Sequence, residues 1–288
     1  MWPVVIGLIF AAAVAAVRVA TRKGGAPGSG GDTVSSTKLV TSADDARGVD
    51  VSAAQTVRGK PPDFAAVKAA GRDFVIVKLT DGMGKDGEGQ INFANARAAG
   101  LAVSAYHYSS YANNAITEAD HFADAIKTAG GVDFPPTLDF ESVGKDNLPR
   151  LGKQATVQWA LDFIAQMKKR GFSRVWLYSY PSYLIELMPN LVASGLPKQC
   201  DLWIADYSKG ANPPPGSIPA TVNPANKALF ISGAWDTWVC WQTHGNDEKG
   251  AAIGTPRAPR IPGIGDAVDH DVFNGTVKQL RGKLLGLV

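Results

Sequence analysis

The residues best suited to do chemistry are gathered in Pro135-Pro-Thr-Leu-Asp-Phe-Glu141, a short apolar run that ends in two carboxylates with Phe140 between them. In a β-strand, residues i and i+2 share a face, so Asp139 and Glu141 are expected side by side, roughly 6.5–7 Å apart along the strand. Acids placed in this way can divide the work of glycosidic bond cleavage. One donates a proton to the leaving oxygen, and the other stays ionised and supports positive charge on the sugar. Asp-x-Glu also occurs at solvated strand ends, and so short a motif carries little weight alone. Two further acids strengthen it: Asp50 within Gly48-Val-Asp-Val-Ser52, and Asp269 within Val268-Asp-His-Asp-Val272. Tyr106, His107, Tyr178, Trp203, Tyr207, Trp241 and Gln242 lie at or near the ends of other apolar runs. Aromatic faces stack on sugar rings, so this set is expected to bind substrate.

The elements that must position these groups follow from periodicity. Strands are expected at 48–52, 74–79, 102–108, 136–141, 174–178, 202–207, 238–242 and near 267–271, and helices at 63–70, 92–99, 115–129 and 154–170. Gly71, Gly100, Gly130 and Gly171 each follow one of those helices, where a left-handed cap residue belongs. Strand and helix in alternation predict a parallel sheet. About eight strands in a chain of this length suit a closed barrel. The fold class is thus α/β, a modified TIM-like (β/α) barrel. Its second half is expected to be irregular, because helices after the fifth strand are weakly signalled and 210–233 reads as a long loop. In such a barrel working residues converge at the C-terminal ends of the strands, and first and last strands are neighbours, which would bring Asp50 and Asp269 together.

Hydrophobic residues at 45% and charged residues at 19% describe an ordinary globular chain. A net charge of +3 leaves no nucleic-acid footprint. Cys200 and Cys240 read as two small buried hydrophobes, with a disulfide between neighbouring strands as the alternative. Without Cys-x-x-Cys, and with only His270 between Asp269 and Asp271, neither a metal nor a cofactor is expected. Lys78 is expected to pair with a mouth carboxylate, in a structural or a catalytic role. Trp2–Ala20 is apolar apart from Gly7 and Arg18, close to the roughly 20 residues of a membrane span. Residues 1–22 therefore read as an apolar anchor or signal-like helix, with membrane association through 2–20 and with its orientation open. Residues 23–47 read as a flexible linker, and 48–288 as the globular, monomeric domain.

Taken in order, Gly48-Val-Asp-Val-Ser, Phe74-Val-Ile-Val-Lys-Leu-Thr-Asp-Gly, Ala105-Tyr-His-Tyr, Pro135-Pro-Thr-Leu-Asp-Phe-Glu, Leu202-Trp-Ile-Ala-Asp-Tyr, Trp241-Gln and Val268-Asp-His-Asp-Val-Phe resemble glycoside hydrolase family 25. These are the Chalaropsis-type lysozymes of phage endolysins and bacterial autolysins. The resemblance runs from about Gly48 to Leu280. It implies a modified barrel and an N-acetylmuramidase that cuts the β-1,4 bond between N-acetylmuramic acid and N-acetylglucosamine in peptidoglycan, with action at the cell wall, tethered or exported. It further implies Glu141 as general acid, Asp139 as the group that orients the acetamido substituent or stabilises the cation, and Asp50 and Asp269 as shapers of the site. Retention of configuration is expected, by a direct nucleophile or by substrate assistance. A catalytically silent sugar-binding barrel, or a hydrolase of another acetamido-sugar polymer, stands as the alternative. Ala53-Ala54-Gln55 departs from the family, which often has a His or aromatic residue there, and Thr80-Asp81-Gly82 replaces its frequent Thr-Glu-Gly.

Overall fold

The computed structural model describes residues 38–56, 59–142, 151–231, 233–245, 260–264 and 268–284. The apolar stretch expected at residues 1–22 lies outside them. Among the described residues no helix is long and apolar enough to cross a membrane.

The strands are β1 (Arg47–Val51), β2 (Phe74–Asp81), β3 (Gly84–Lys85), β4 (Ala102–Tyr108), β5 (Thr137–Asp139), β6 (Trp176–Ser179), β7 (Asp201–Ala205), β8 (Cys240–His244) and β9 (Asp269–Phe273). Helices α1 (Phe64–Ala69), α2 (Gly89–Ala98), α3 (Ala115–Thr128), α4 (Lys153–Lys169) and α5 (Pro181–Ser194) cross between strands, and α6 (Val277–Leu284) follows β9. The sheet runs β1-β9-β8-β7-β6-β5-β4-β2-β3, and a further β1–β2 pairing closes it. β3 is a two-residue hairpin arm on β2, so eight strands form the ring.

Every neighbouring pair from β1 through β2 and β4 to β8 is parallel. β9 is antiparallel to both of its neighbours, where the alternation of strand and helix predicts a parallel sheet with an irregular second half. This reversal matters for the site. The mouth lies at the C-terminal ends of the parallel strands, so it is the start of β9 that reaches it.

Side chains separate into two layers by the strand's period of two. Phe74, Ile76, Trp176, Tyr178, Trp203, Cys240 and Phe273 fill the barrel interior. Val75, Val77, Val103, Leu138, Leu177, Ile204, Trp241 and Val272 face outward, beneath helix residues such as Phe93, Phe122, Phe163 and Leu187. Burial on both faces explains why β2 reads as a nearly continuous apolar run.

The expected left-handed caps at Gly71, Gly100, Gly130 and Gly171 are present, with φ between 79° and 100°. Helix α5 is absent from the periodicity reading because Pro189 lies inside it, where it removes an intrahelical bond. One buried face of Tyr183, Leu184, Leu187 and Leu191 holds the helix in place, with Pro181 in its first turn and Gly195 as its left-handed cap. Cys200 and Cys240 are buried free thiols.

Residues 38–46, expected in the linker, are instead bonded to the closed end of the barrel. Lys38 O accepts from Asn274 Nδ2 (2.8 Å) and Thr237 Oγ1 (3.0 Å), and Leu39 O accepts from Trp238 Nε1 (3.0 Å). Thr41 N donates to Ser217 O (2.8 Å). Among the described residues the barrel's own bonds therefore begin at Lys38.

Candidate active site

A cavity of about 250 Å³ opens at the mouth, lined by Asp50, Lys78, Tyr106, Tyr108, Asp139, Glu141, Tyr178, Trp203, Gln242 and Asp269. The four acids singled out in the sequence thus meet in one place, from β1, the end of β5 and the start of β9.

The Asp139–Glu141 segment is held from both sides. Asp139 O accepts from Ser109 Oγ (2.7 Å) and Ser109 N (3.2 Å). Phe140 N donates to Tyr178 O (2.9 Å), which carries the strand pairing one residue past β5. The Phe140 ring points outward into the helix layer and packs against Tyr111 and Tyr183, with ring centroids 6.0 Å and 5.5 Å away. Anchoring Phe140 on the outside turns Asp139 and Glu141 to the inside together.

Electrostatics set the two acids apart from ordinary carboxylates. Burial, then the charge of Asp269, raises Glu141 to about 7, with Lys78 pulling the other way. Asp139 is only 7% exposed. Burial first and Glu141 second hold it well above the carboxylate range, and Lys78 again opposes. Asp139 Oδ1 is buried and receives no hydrogen bond among the described residues. It is an acceptor awaiting a donor.

The remaining wall is a hydrogen-bonded frame. Gln242 Oε1 accepts from the hydroxyls of Tyr178 (2.8 Å) and Tyr207 (2.7 Å), and its Nε2 donates to Asp50 Oδ2 (2.8 Å). Tyr207 stands on a short 3-10 turn after β7. The Trp203 ring meets Tyr178 edge-on at 4.7 Å. Lys78 lines the mouth, but its Nζ pairs with Asp81 (2.9 Å), outside the lining, rather than with one of the four acids, and sits 4.8 Å from the centre of the Tyr108 ring.

Three of the expected sugar contacts do not line the cavity: Tyr207 backs the wall through Gln242, and two others face away from the mouth. His107 points outward, fully buried, its ring 5.0 Å from Phe163 and 5.5 Å from Phe122. Its Nε2 bonds Glu118 Oε2 (2.9 Å) and its Nδ1 bonds Thr80 Oγ1 (2.8 Å). A carboxylate only accepts, so Nε2 carries the proton and Nδ1 accepts from the threonine. Burial lowers the His107 pKa and agrees with a neutral ring. Trp241 also faces outward, and its Nε1 donates to Asp206 O (2.6 Å). Both misplacements are errors of strand phase. Tyr106 and Gln242 face inward, so their immediate neighbours cannot. The same rule names Tyr108, a lining residue that the sequence reading passed over.

The departure at Ala53-Ala54-Gln55 is a 3-10 turn capped by Ser52, with Gln55 Oε1 accepting from Ser52 N (2.7 Å). Gln55 is spent on this cap. Among the described residues no group of three or more His, Cys, Asp or Glu is arranged to hold a metal ion.

The sequence profile described as glycosyl hydrolases family 25 matches residues 49–250. Lysozyme M1 of Streptomyces globisporus is 27% identical over 227 residues, covering 76% of this chain and 65% of its own length. An autolytic lysozyme of Clostridium acetobutylicum is 28% identical over 146 residues, covering 50% of this chain and 41% of its own. The chain thus spans less than two thirds of the length of these curated relatives. Among solved structures, a bacterial lysozyme from Streptomyces coelicolor superposes with a TM-score of 0.65 at 23% identity, over 86% of this chain and 100% of the other, a likeness of fold. A family GH25 lysozyme from Aspergillus fumigatus superposes with a TM-score of 0.58 at 25% identity, over 83% and 99%.

Proposed function

The chain belongs to glycosyl hydrolases family 25, and from that premise we propose that it is a muramidase that cleaves the β-1,4 bond between N-acetylmuramic acid and N-acetylglucosamine in peptidoglycan. The observation that carries this reading is the Asp139–Glu141 pair. One carboxyl is poised at about 7 and so protonated in part near neutrality, beside a second whose buried oxygen lacks a donor.

In this reading Glu141 gives its proton to the glycosidic oxygen as the C1–O bond breaks. Such acid assistance is typically worth ~10²–10⁴ in rate. Asp139 Oδ1 accepts the N–H of the acetamido group. That bond favours the ionised form of Asp139 and, through like-charge coupling, keeps the proton on Glu141. With its N–H held, the acetamido carbonyl oxygen is turned toward C1 and closes on it as the leaving group departs. Water then attacks C1 from the face the leaving group vacated, and Glu141 takes back a proton. Configuration is retained, and the route is the substrate-assisted exception to the two-carboxylate scheme. Asp269 raises the general acid, and Asp50 anchors Gln242 and through it the Tyr178 and Tyr207 platform. Tyr106 and Tyr108 offer aromatic surface to the sugar rings, and Trp203 supports the wall by packing edge-on against Tyr178. The mouth is built from one chain, so a monomer suffices. The substrate requires the protein to reach the wall.

Turbidity loss of purified walls, with released reducing ends identified, tests the proposal. The parent chain should clear walls and release N-acetylmuramic acid ends, whereas Glu141→Gln should lose nearly all activity while keeping its circular dichroism spectrum. An intact parent that binds walls without releasing ends would sink it.

A further inference from the structure

Beneath Asp50 lies a second buried carboxyl that the steps above leave unused. Asp271 follows Asp269 by two residues, so strand alternation turns it to the same interior face. It lies one level deeper, opposite Gly48 of β1 and Gln242 of β8. It is 2% exposed. Its Oδ1 accepts from Trp203 Nε1 (3.0 Å). Its Oδ2 is buried and, among the described residues, takes no bond from an amide, indole or hydroxyl donor. Across the seam, two residues along β1 on the same interior face, is the Asp50 carboxyl, held by the amide of Gln242, which is itself the direct neighbour of Asp271 on β8.

The Asp50 side is equally constrained. Asp50 Oδ2 accepts from Gln242 Nε2, and that amide cannot turn because its Oε1 already takes two tyrosine hydroxyls. Carboxylates only accept, so a bond between two of them requires a proton on one. If both were ionised, like charges would touch where water scarcely reaches, at a steep cost. The other titratable groups facing Asp271 are Asp269 of β9, Cys240 of β8 and Arg72 from the turn before β2. Burial pushes both Asp50 and Asp271 well above the usual range. Asp271 adds to the rise at Asp50, and Asp269 adds to the rise at Asp271.

We propose that Asp271 is a positioning residue: it and Asp50 hold one proton between them, and that hydrogen bond fixes the Asp50 carboxyl at the floor of the mouth and limits the pair to one negative charge. The kinetic consequence rests on the muramidase reading; the shared proton does not. Asp271 touches no substrate. It acts through Asp50, which bonds Gln242 and stands in register opposite Asp269, the residue whose charge raises Glu141.

Infrared spectroscopy of the full chain at neutral pH reads the proton directly. In an Asp139→Asn/Glu141→Gln background, which removes the signals of the two raised acids beside each other in the mouth, adding Asp271→Asn should abolish a protonated-carboxyl stretch that shifts in deuterated water. A band that survives unchanged would overturn the proposal. With Asp139 and Glu141 intact, Asp271→Asn still offers Oδ1 to Trp203 and an N–H to Asp50, so kcat/KM should stay within about threefold, one neutral bond replacing another. Asp271→Leu should lower kcat by roughly ten- to hundredfold, the worth of a hydrogen bond to a charged group, with KM little changed. Equal kinetics for the Asn and Leu variants would also overturn it. The infrared band needs no substrate, so failure of the muramidase reading is distinguishable from failure of the shared proton.

Discussion

Asp50 and Asp269 stand opposite each other in register where the first and last strands of the barrel meet. β9 runs antiparallel to β1, so its first residue lies level with the fourth residue of β1, near the open end. The seam that closes the barrel thus also delivers the charge that raises Glu141.

That coupling fixes the pH dependence of activity. The active form of Glu141 is protonated, so kcat/KM should fall as pH rises through about 7. Lys78 holds Glu141 down, and Lys78→Met should move the alkaline limb to higher pH. A pH–rate profile on soluble wall fragments checks both. A limb that stays fixed or moves down in the Lys78 variant would contradict the electrostatic account.

Stability should carry the same signature. Glu141 titrates at about 7 against an ordinary value of 4.5, so the folded state binds its proton more tightly than the unfolded chain does. The resulting stabilisation is complete below about 4.5 and is lost as pH rises through about 7. Asp50, Asp139 and Asp271 are raised in the same sense. Burial also opposes ionisation of Glu118, but bonds from His107, Ser110 and Asn113 outweigh it and hold Glu118 low, so its contribution is instead lost as pH falls. Thermal unfolding of the parent and Glu141→Gln across this range isolates the first effect. The parent's midpoint should fall relative to the variant as pH increases.

His107→Ala should damage the fold rather than sugar binding. It empties a site between Phe122 and Phe163 and leaves Thr80 and Glu118 without their buried partner. A loss of about 2–4 kcal/mol is expected from the cavity and the unpaired groups. Denaturant unfolding measures it, and KM should remain close to the parent's. A large KM increase without destabilisation would return His107 to the mouth.

Gly245→Ala tests the Tyr207 platform without touching an acid. A Cβ there would overlap the Tyr207 ring and hydroxyl, driving Tyr207 off Gln242. Misplacing a positioning group by this much costs on the order of ten- to a hundredfold in kcat/KM, to be read from initial rates. A variant as active as the parent would remove Tyr207 from the working frame.

The acids and the alternation of strand and helix are local properties, and both are legible in the chain. Asp139 and Glu141 on one face follow from a period of two, and the four left-handed glycines follow from helix ends. Helix α5 was hidden because Pro189 breaks the local pattern while Tyr183, Leu184, Leu187 and Leu191 hold the helix by contacts to distant residues. Residues 38–46 read as linker because their composition is polar, and their order comes from partners at 217, 237, 238 and 274.

By itself, then, the sequence determined which side chains were available for catalysis and their spacing along each strand. Spacing yields relative phase but not absolute phase, so it could say that Tyr106 and His107 oppose each other, not which of them faces the sugar. Tertiary structure decided that when the helix layer buried His107 against Glu118 and left Tyr106 in the mouth. It also decided the direction of β9, a property of pairing between the two ends of the barrel that no local pattern encodes. From that direction came the meeting of Asp50 and Asp269 with Asp139 and Glu141 at the mouth, and the place of Asp271 one level beneath them.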